Sequence, residues 1–413
     1  MKKLTAMIIL LTLVLAGCKQ NQLPEVTRPM DVEPSINLPQ KPNKPADAEY
    51  TVAYDWMAGE SPVSTKRICS LRASVNNPYF AVSPTGCYYI QSTTGSTASF
   101  ILYLDNGTDT MIKLCGRPDC NHSNSDCNSY LYCGSMLSYH NGYLYAVSGA
   151  NATAEQCELI RMEPDGTEHV TVLNLLAFAE AHDGDYVRST LIANGYFVFS
   201  VYAWKNSGTG GLSGTWVETY VYKLDGSLGG PQAVDADGAI LYNCGDVFLA
   251  YRNEAQNGGQ YGSYWNWNPE TDSTTYLADH PGQPGWFDEK EAYYFKDGAI
   301  CRLTYATQSE EVMVDTGLEG KYYLFVFPDC MVVASSGIGN APDNQLYIYN
   351  WAYELVDVVR VPNVTNVSTH FLLIAETAEY FLLTDKVHGA PKYYISKADL
   401  GAEEVNVHTF KFA

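Results

Sequence analysis

From about residue 79 onward the chain is written in short apolar runs separated by small clusters of Gly, Asn, Asp and Pro. Runs of about four to eight residues punctuated in this way read as strands joined by tight turns. The clearest case is Met136-Leu137-Ser138-Tyr139, a turn at His140-Asn141-Gly142, then Tyr143-Leu144-Tyr145-Ala146-Val147. Similar hairpins turn at Pro84-Thr85-Gly86, Ala193-Asn194-Gly195, Asn243-Cys244-Gly245, Asp288-Glu289-Lys290, Pro328-Asp329 and Glu376-Thr377. Asn-Gly between apolar runs is a strong hairpin signal because both turn residues must adopt positive φ.

Each of these hairpins is followed, after an expected longer loop, by a second one. The second set opens with Leu102-Tyr103-Leu104, Leu159-Ile160-Arg161, Tyr220-Val221-Tyr222, Trp265-Asn266-Trp267, Cys301-Arg302-Leu303, Leu346-Tyr347-Ile348-Tyr349 and Tyr393-Tyr394-Ile395-Ser396. Four strands recurring at roughly 40–55 residues is the pattern of a propeller, in which each small sheet buries its faces against its neighbours. The expectation is an all-β chain forming a single β-propeller of seven four-stranded blades over 50–413. The faint fifth unit leaves six or eight as alternative counts, and a pair of sandwiches or smaller propellers would show the same strand pattern. Tyr50 to Val75 carries no complete unit and is a candidate closing strand for the last blade. Val172 to Ala181 reads as a short helix between the second and third units.

The N-terminus departs from this pattern. Met1 to Cys18 has a basic start, an apolar run and the ending Leu15-Ala16-Gly17-Cys18. The run is too short for a comfortable membrane span and ends in small residues, as a secretory signal does. The ending matches the lipobox of bacterial lipoproteins, which implies a signal peptide over 1–17 and lipidation of Cys18. Several acyl chains there would hold the chain stably to a membrane. Residues 18–49 contain six prolines and no apolar period, and read as an extended tether. The expected location is extracytoplasmic, anchored to the bacterial membrane at the cell surface.

Composition adds two constraints. The 32 Tyr against 14 Phe suit strands whose outer faces stay wet. The formal charge of −21, more negative once Lys2 and Lys3 leave with the signal, repels phosphate backbones and excludes nucleic acid as a partner.

The densest chemistry lies in a Cys/His-rich insert, Leu114 to Cys133. Four of the eleven cysteines (Cys115, Cys120, Cys127 and Cys133) sit there with His122. Cys115, Cys120, His122 and Cys127 make a complete tetrahedral donor set for a structural zinc. Disulfides Cys115–Cys120, Cys120–Cys127 or Cys127–Cys133 are the rival in an exported domain. A closed Cys3His set leaves no open ligand position, which argues against catalysis there. Cys87, Cys157 and Cys301 stand in strand-like runs as small core residues.

The segment Leu114-Cys115-Gly116-Arg117-Pro118-Asp119-Cys120-Asn121-His122, with Cys127, resembles a motif of uncharacterised propeller-like lipoproteins of Gram-positive anaerobes, L-C-x-x-P-x-C-x-H-x4-C just after the first blade. The resemblance implies a fold and a surface location, and brings no activity with it. Trp204, Trp216, Trp265 and Trp267 flank Gly-rich stretches at 206–214 and 256–262, and an exposed indole there would stack on sugar rings or peptide side chains. Packing between blades is the competing role for them. The functional expectation is a monomeric binding module for a glycan, peptide or envelope protein. A carbohydrate-active hydrolase or lyase and a structural accessory subunit are the alternatives, and no catalytic residue is singled out.

Overall fold

The computed structural model describes residues 54–62, 79–92, 96–149, 156–206, 212–234, 240–244, 247–256, 259–280, 284–320, 322–335, 345–361, 372–384 and 391–413. The expected signal and tether, with Cys18, lie outside them. No helix among the described residues is long and apolar enough to cross a membrane.

The described strands form seven sheets in chain order, each built on four consecutive antiparallel strands. The expected turns that these residues cover fall where they were read. Asn141-Gly142 and Asn194-Gly195 both have positive φ at each residue, the geometry a two-residue hairpin requires. The faint fifth unit is a full sheet. Its second and third strands, Glu291–Lys296 and Ala299–Thr304, are joined not by a longer loop but by Asp297-Gly298, again with positive φ at both. In four sheets the pairing of the third and fourth strands carries a register shift, at Leu159/Ile160, Tyr264/Trp265, Ile300/Cys301 and Ile348/Tyr349. A bulge there twists the outer strand and blunts an exposed edge.

The sheets pack face to face. Tyr88 of the first meets Leu144 of the second, Val147 of the second meets Phe197 of the third, and Val198 of the third meets Trp267 of the fourth in shared cores. One larger core runs through Tyr264, Tyr293 and Met331 of the fourth, fifth and sixth sheets, and another joins Val332 of the sixth to Phe381 of the seventh. A further core places Leu382 and Phe410, from the last part of the chain, against Tyr89 and Leu104 of the first sheet. The final strand, Lys411–Phe412, pairs in parallel with Thr110–Lys113 of the first sheet. Fully burying one such large side chain contributes about 1.5–3 kcal/mol, so these seams dominate stability.

Three local expectations are corrected. Val170–Asn174 is the fourth strand of the second sheet, and only Leu175–Ala181 is helical, started by Asn174 accepting the Ala177 N–H at 2.9 Å. The described parts of the Gly-rich stretches are ladder, with 207–211 and 257–258 lying outside the described residues: Tyr196–Asn206 pairs with Leu212–Lys223, and Val247–Gln256 with Gly259–Asn268. Of the candidate closing segment Tyr50 to Val75, residues 54–62 are not a strand and the rest lie outside the described residues; among the described residues the seventh sheet takes its strands from Leu372 to Thr409. Instead 54–62 straps the sixth and seventh sheets. Trp56 Nε1 donates to Lys397 O at 2.9 Å, Tyr54 Oη to Ala378 O at 3.1 Å, and Asn350 Nδ2 to Trp56 O at 3.4 Å. Gly59 (φ +84°) lies so close to Trp351 that a Cβ would sit 2.1 Å from its carbonyl carbon, so only glycine fits.

Candidate metal centre and aromatic rim

The Cys/His insert does not follow the fourth strand of the first sheet; it interrupts it. Thr110–Lys113 pairs with residues 102–104 of the third strand, and Tyr130–Tyr132 pairs with residues 98–100 of the same strand. Between them Ile101 O accepts the Leu114 N–H at 2.9 Å and Ile101 N–H donates to Ser129 O at 2.7 Å. Residues 115–128 therefore leave and rejoin one edge of one sheet. Such an excursion needs something to hold it closed.

The sequence supplies it. The donor atoms of Cys115, Cys120, His122 and Cys127 all lie within 4.8 Å of one another. A tetrahedral ion with Zn–S of ~2.3 Å holds its sulfurs about 3.8 Å apart, so this spacing fits an ion without rebuilding the loop. His122 Nδ1 lies 3.4 Å from Cys127 Sγ, and the His122 N–H points at Cys120 Sγ, also at 3.4 Å. His122 takes positive φ (52°) to turn its ring inward, and Lys113 Nζ fixes its carbonyl at 2.9 Å. Ser129 Oγ, fully buried, lies 3.0 Å from Cys127 Sγ. Phe100, with Tyr130 edge-on to it at 5.9 Å, packs against Cys115 and Cys127 and walls off water.

The three thiols are not equivalent. Cys115 and Cys127 are buried and Cys120 is half-buried. Burial pushes the Cys127 thiol up to about 11, whereas the His122 N–H bonded to Cys120 holds that thiol below its usual value. Burial, then the positive charges of Lys113 and Arg117, holds the His122 imidazole below its ordinary value, which keeps it neutral and able to donate a lone pair. None of Cys115, Cys120, Cys127 and Cys133 is in a disulfide. Cys87, Cys157 and Cys301 are buried core residues, as expected.

No protein-family model matches the chain, and no curated protein does. Solved structures do. The β-propeller domain of the Trilobed protease from Pyrococcus furiosus matches over 69% of this chain and 81% of its own, at 10% identity and a TM-score of 0.40. An acylaminoacyl peptidase from Pyrococcus horikoshii matches over 78% of this chain and 50% of its own, at 8% identity and a TM-score of 0.46. An oligogalacturonate lyase in complex with manganese matches over 61% and 71%, at 10% identity and a TM-score of 0.35. At these values none of them carries a chemical argument to this chain.

The four tryptophans divide. Trp267 is 2% exposed, belongs to the core between the third and fourth sheets, and donates to Asp272 at 2.9 Å. Trp265, two residues earlier on the same face, is half-buried with its N–H on Ser263. These two are packing residues first. Trp204 and Trp216 stand on the ribbon of the third sheet. Tyr186 stacks on Tyr202 (5.4 Å) and on Trp204 (4.7 Å), and Trp216, opposite Tyr202 in the ladder, is 37% exposed. Gly214 makes room for this stack, since a Cβ there would lie 1.9 Å from the Tyr186 hydroxyl. Trp204 and Trp216 were legible as candidates; Tyr186 and Tyr202 were not, because only strand pairing brings them beside the indoles.

Proposed function

We propose that the protein is one seven-bladed β-propeller, tethered to a bacterial surface by lipid on Cys18, that binds a glycan or envelope protein through the aromatic rim of its third sheet. The observation that carries the binding role is the Tyr186–Tyr202–Trp204 stack with Trp216 beside it, on a ribbon that outruns the first strand of its sheet. Flat rings held in register by a ladder form a rigid stacking surface at low entropic cost. The single ring is supported by the run of shared cores, which passes through successive sheets and returns from the seventh to the first.

We assign the Cys3His set a structural zinc. Three thiolates and an imidazole are a soft, closed donor set, and their position across a broken strand gives the ion a stapling role. One zinc per chain, with thiols that react only after chelation, is the expected result of metal analysis; masked thiols without metal would overturn it.

The binding role is tested by titrating the full chain in detergent with cell-envelope polysaccharide and envelope extracts, read by tryptophan fluorescence. Trp204→Ala and Trp216→Ala should each weaken binding about tenfold, the loss of ~1.4 kcal/mol, with the fold intact. Binding unchanged in both variants, or no binding by the wild type, sinks the reading.

A further inference from the structure

Among the described residues, the most unusual group lies beneath the strap, at the seam of the sixth and seventh sheets. Lys397, just after the third strand of the seventh sheet, has a side chain that is 0% exposed. Its Nζ lies 2.8 Å from Asp329 Oδ2, and it also contacts Glu376 Oε2. Asp329 sits in the first turn of the sixth sheet and Glu376 ends the first strand of the seventh; both carboxylates are at most 1% exposed. Phe381 places its ring 5.0 Å from the same Nζ. Other lysine–carboxylate pairs among the described residues are open to water, including Lys223–Glu270 (27% and 48%), Lys296–Glu310 (35% and 36%) and Lys411–Asp109 (71% and 33%).

A lysine this deep is rare, and one ammonium buried against two carboxylates is a costly arrangement. Asp329 Oδ1 receives no N–H or O–H hydrogen bond among the described residues. These features match what amide formation requires: an amine held against a carboxyl carbon, a second carboxylate touching the amine, and no competing water. We infer that Lys397 and Asp329 become joined, after folding, by an isopeptide bond, with Glu376 as the proton carrier.

The step balances without an oxidant or cofactor. Glu376 takes one proton from the Nζ ammonium and passes that proton to the Asp329 carboxylate. The Nζ lone pair then attacks Cγ of Asp329, forming the C–N bond. Glu376 moves a second Nζ proton to the departing oxygen, the C–O bond breaks, water leaves, and the third proton stays as the amide N–H. The sum is ammonium plus carboxylate giving amide plus water, and Glu376 ends as the carboxylate it began as. Three buried charges become one, and that one can accept a hydrogen bond from the new amide N–H. Lys397 and Asp329 are 68 residues apart, and the link would tie the seventh sheet to the sixth.

The test is a tryptic digest of the full chain under denaturing, reducing conditions, read by tandem mass spectrometry. Residues 322–360 and 393–411 should appear as one branched species, lighter by one water than the two segments and uncleaved after Lys397. Lys397→Arg and Glu376→Gln should lack it. Asp329→Asn should give the same branched product, because an asparagine carboxamide loses ammonia and leaves the identical amide. Recovery of 322–360 alone, with cleavage after Lys397 in the wild type, overturns the proposal whether or not the variants fold.

Discussion

His140 shows how one residue sets a condition on its surroundings. Its ring packs against Gly195 of the neighbouring sheet, 3.0 Å from where a Cβ would stand. Burial holds its imidazole below the ordinary 6.5, against the opposing pull of Asp225. A base with a depressed folded value stays neutral in the fold while the unfolded chain takes up a proton, so its contribution is present above about 6.5 and is lost as pH falls. The melting temperature should therefore drop between pH 7 and 5, and His140→Gln should show a smaller drop. Trp267 and Trp216 give a second contrast at this scale. Trp267→Ala empties a core site and should cost about 3–5 kcal/mol in chemical denaturation. Trp216→Ala should change stability by less than about 1 kcal/mol, since its ring is partly in water. Both were equal candidates in the sequence, because a tryptophan in a strand carries no mark of which face is covered.

At the scale of elements, the hairpins were legible because turn chemistry is local. Asn141-Gly142 and Asn194-Gly195 announce positive φ within two residues, and the strands on either side follow. The four donors of the metal set were legible for the same reason, lying within thirteen residues from Cys115 to Cys127. What stayed hidden was that Thr110–Lys113 and Tyr130–Tyr132 are two halves of one strand position, since that depends on both finding the same partner strand. This break makes a prediction. Chelation, or Cys127→Ser, should raise amide exchange at Leu114, Ser129 and Tyr130 by at least tenfold while the second strand of the same sheet, Gly86–Ser92, stays protected. Uniform loosening of the whole sheet would contradict a staple confined to the insert.

For the whole molecule, the seams carry the stability and the sequence says little about them. Lys397, Asp329 and Glu376 are scattered as a turn residue, a loop acid and a strand end, and nothing in their spacing brings them together. The same holds for Phe410, which is 3% exposed against the first sheet although it comes from the last few residues. Phe410→Ala should cost about 3–5 kcal/mol. Its first effect should be faster exchange along Thr110–Lys113, where the parallel strand Lys411–Phe412 is seated.

The strap at Tyr54 to Pro62 has a mechanical consequence. Among the described residues, a pull on Tyr54 would first load the Trp56 and Tyr54 hydrogen bonds, both of them to the seventh sheet, while Asn350 and Gly59 hold the same segment to the sixth. The load is thus divided between two sheets before it reaches any strand ladder. It is delivered at Lys397, whose carbonyl takes the Trp56 bond and whose side chain spans the same two sheets. Tension applied at Tyr54 would enter the domain where the Lys397 side chain bridges the two sheets.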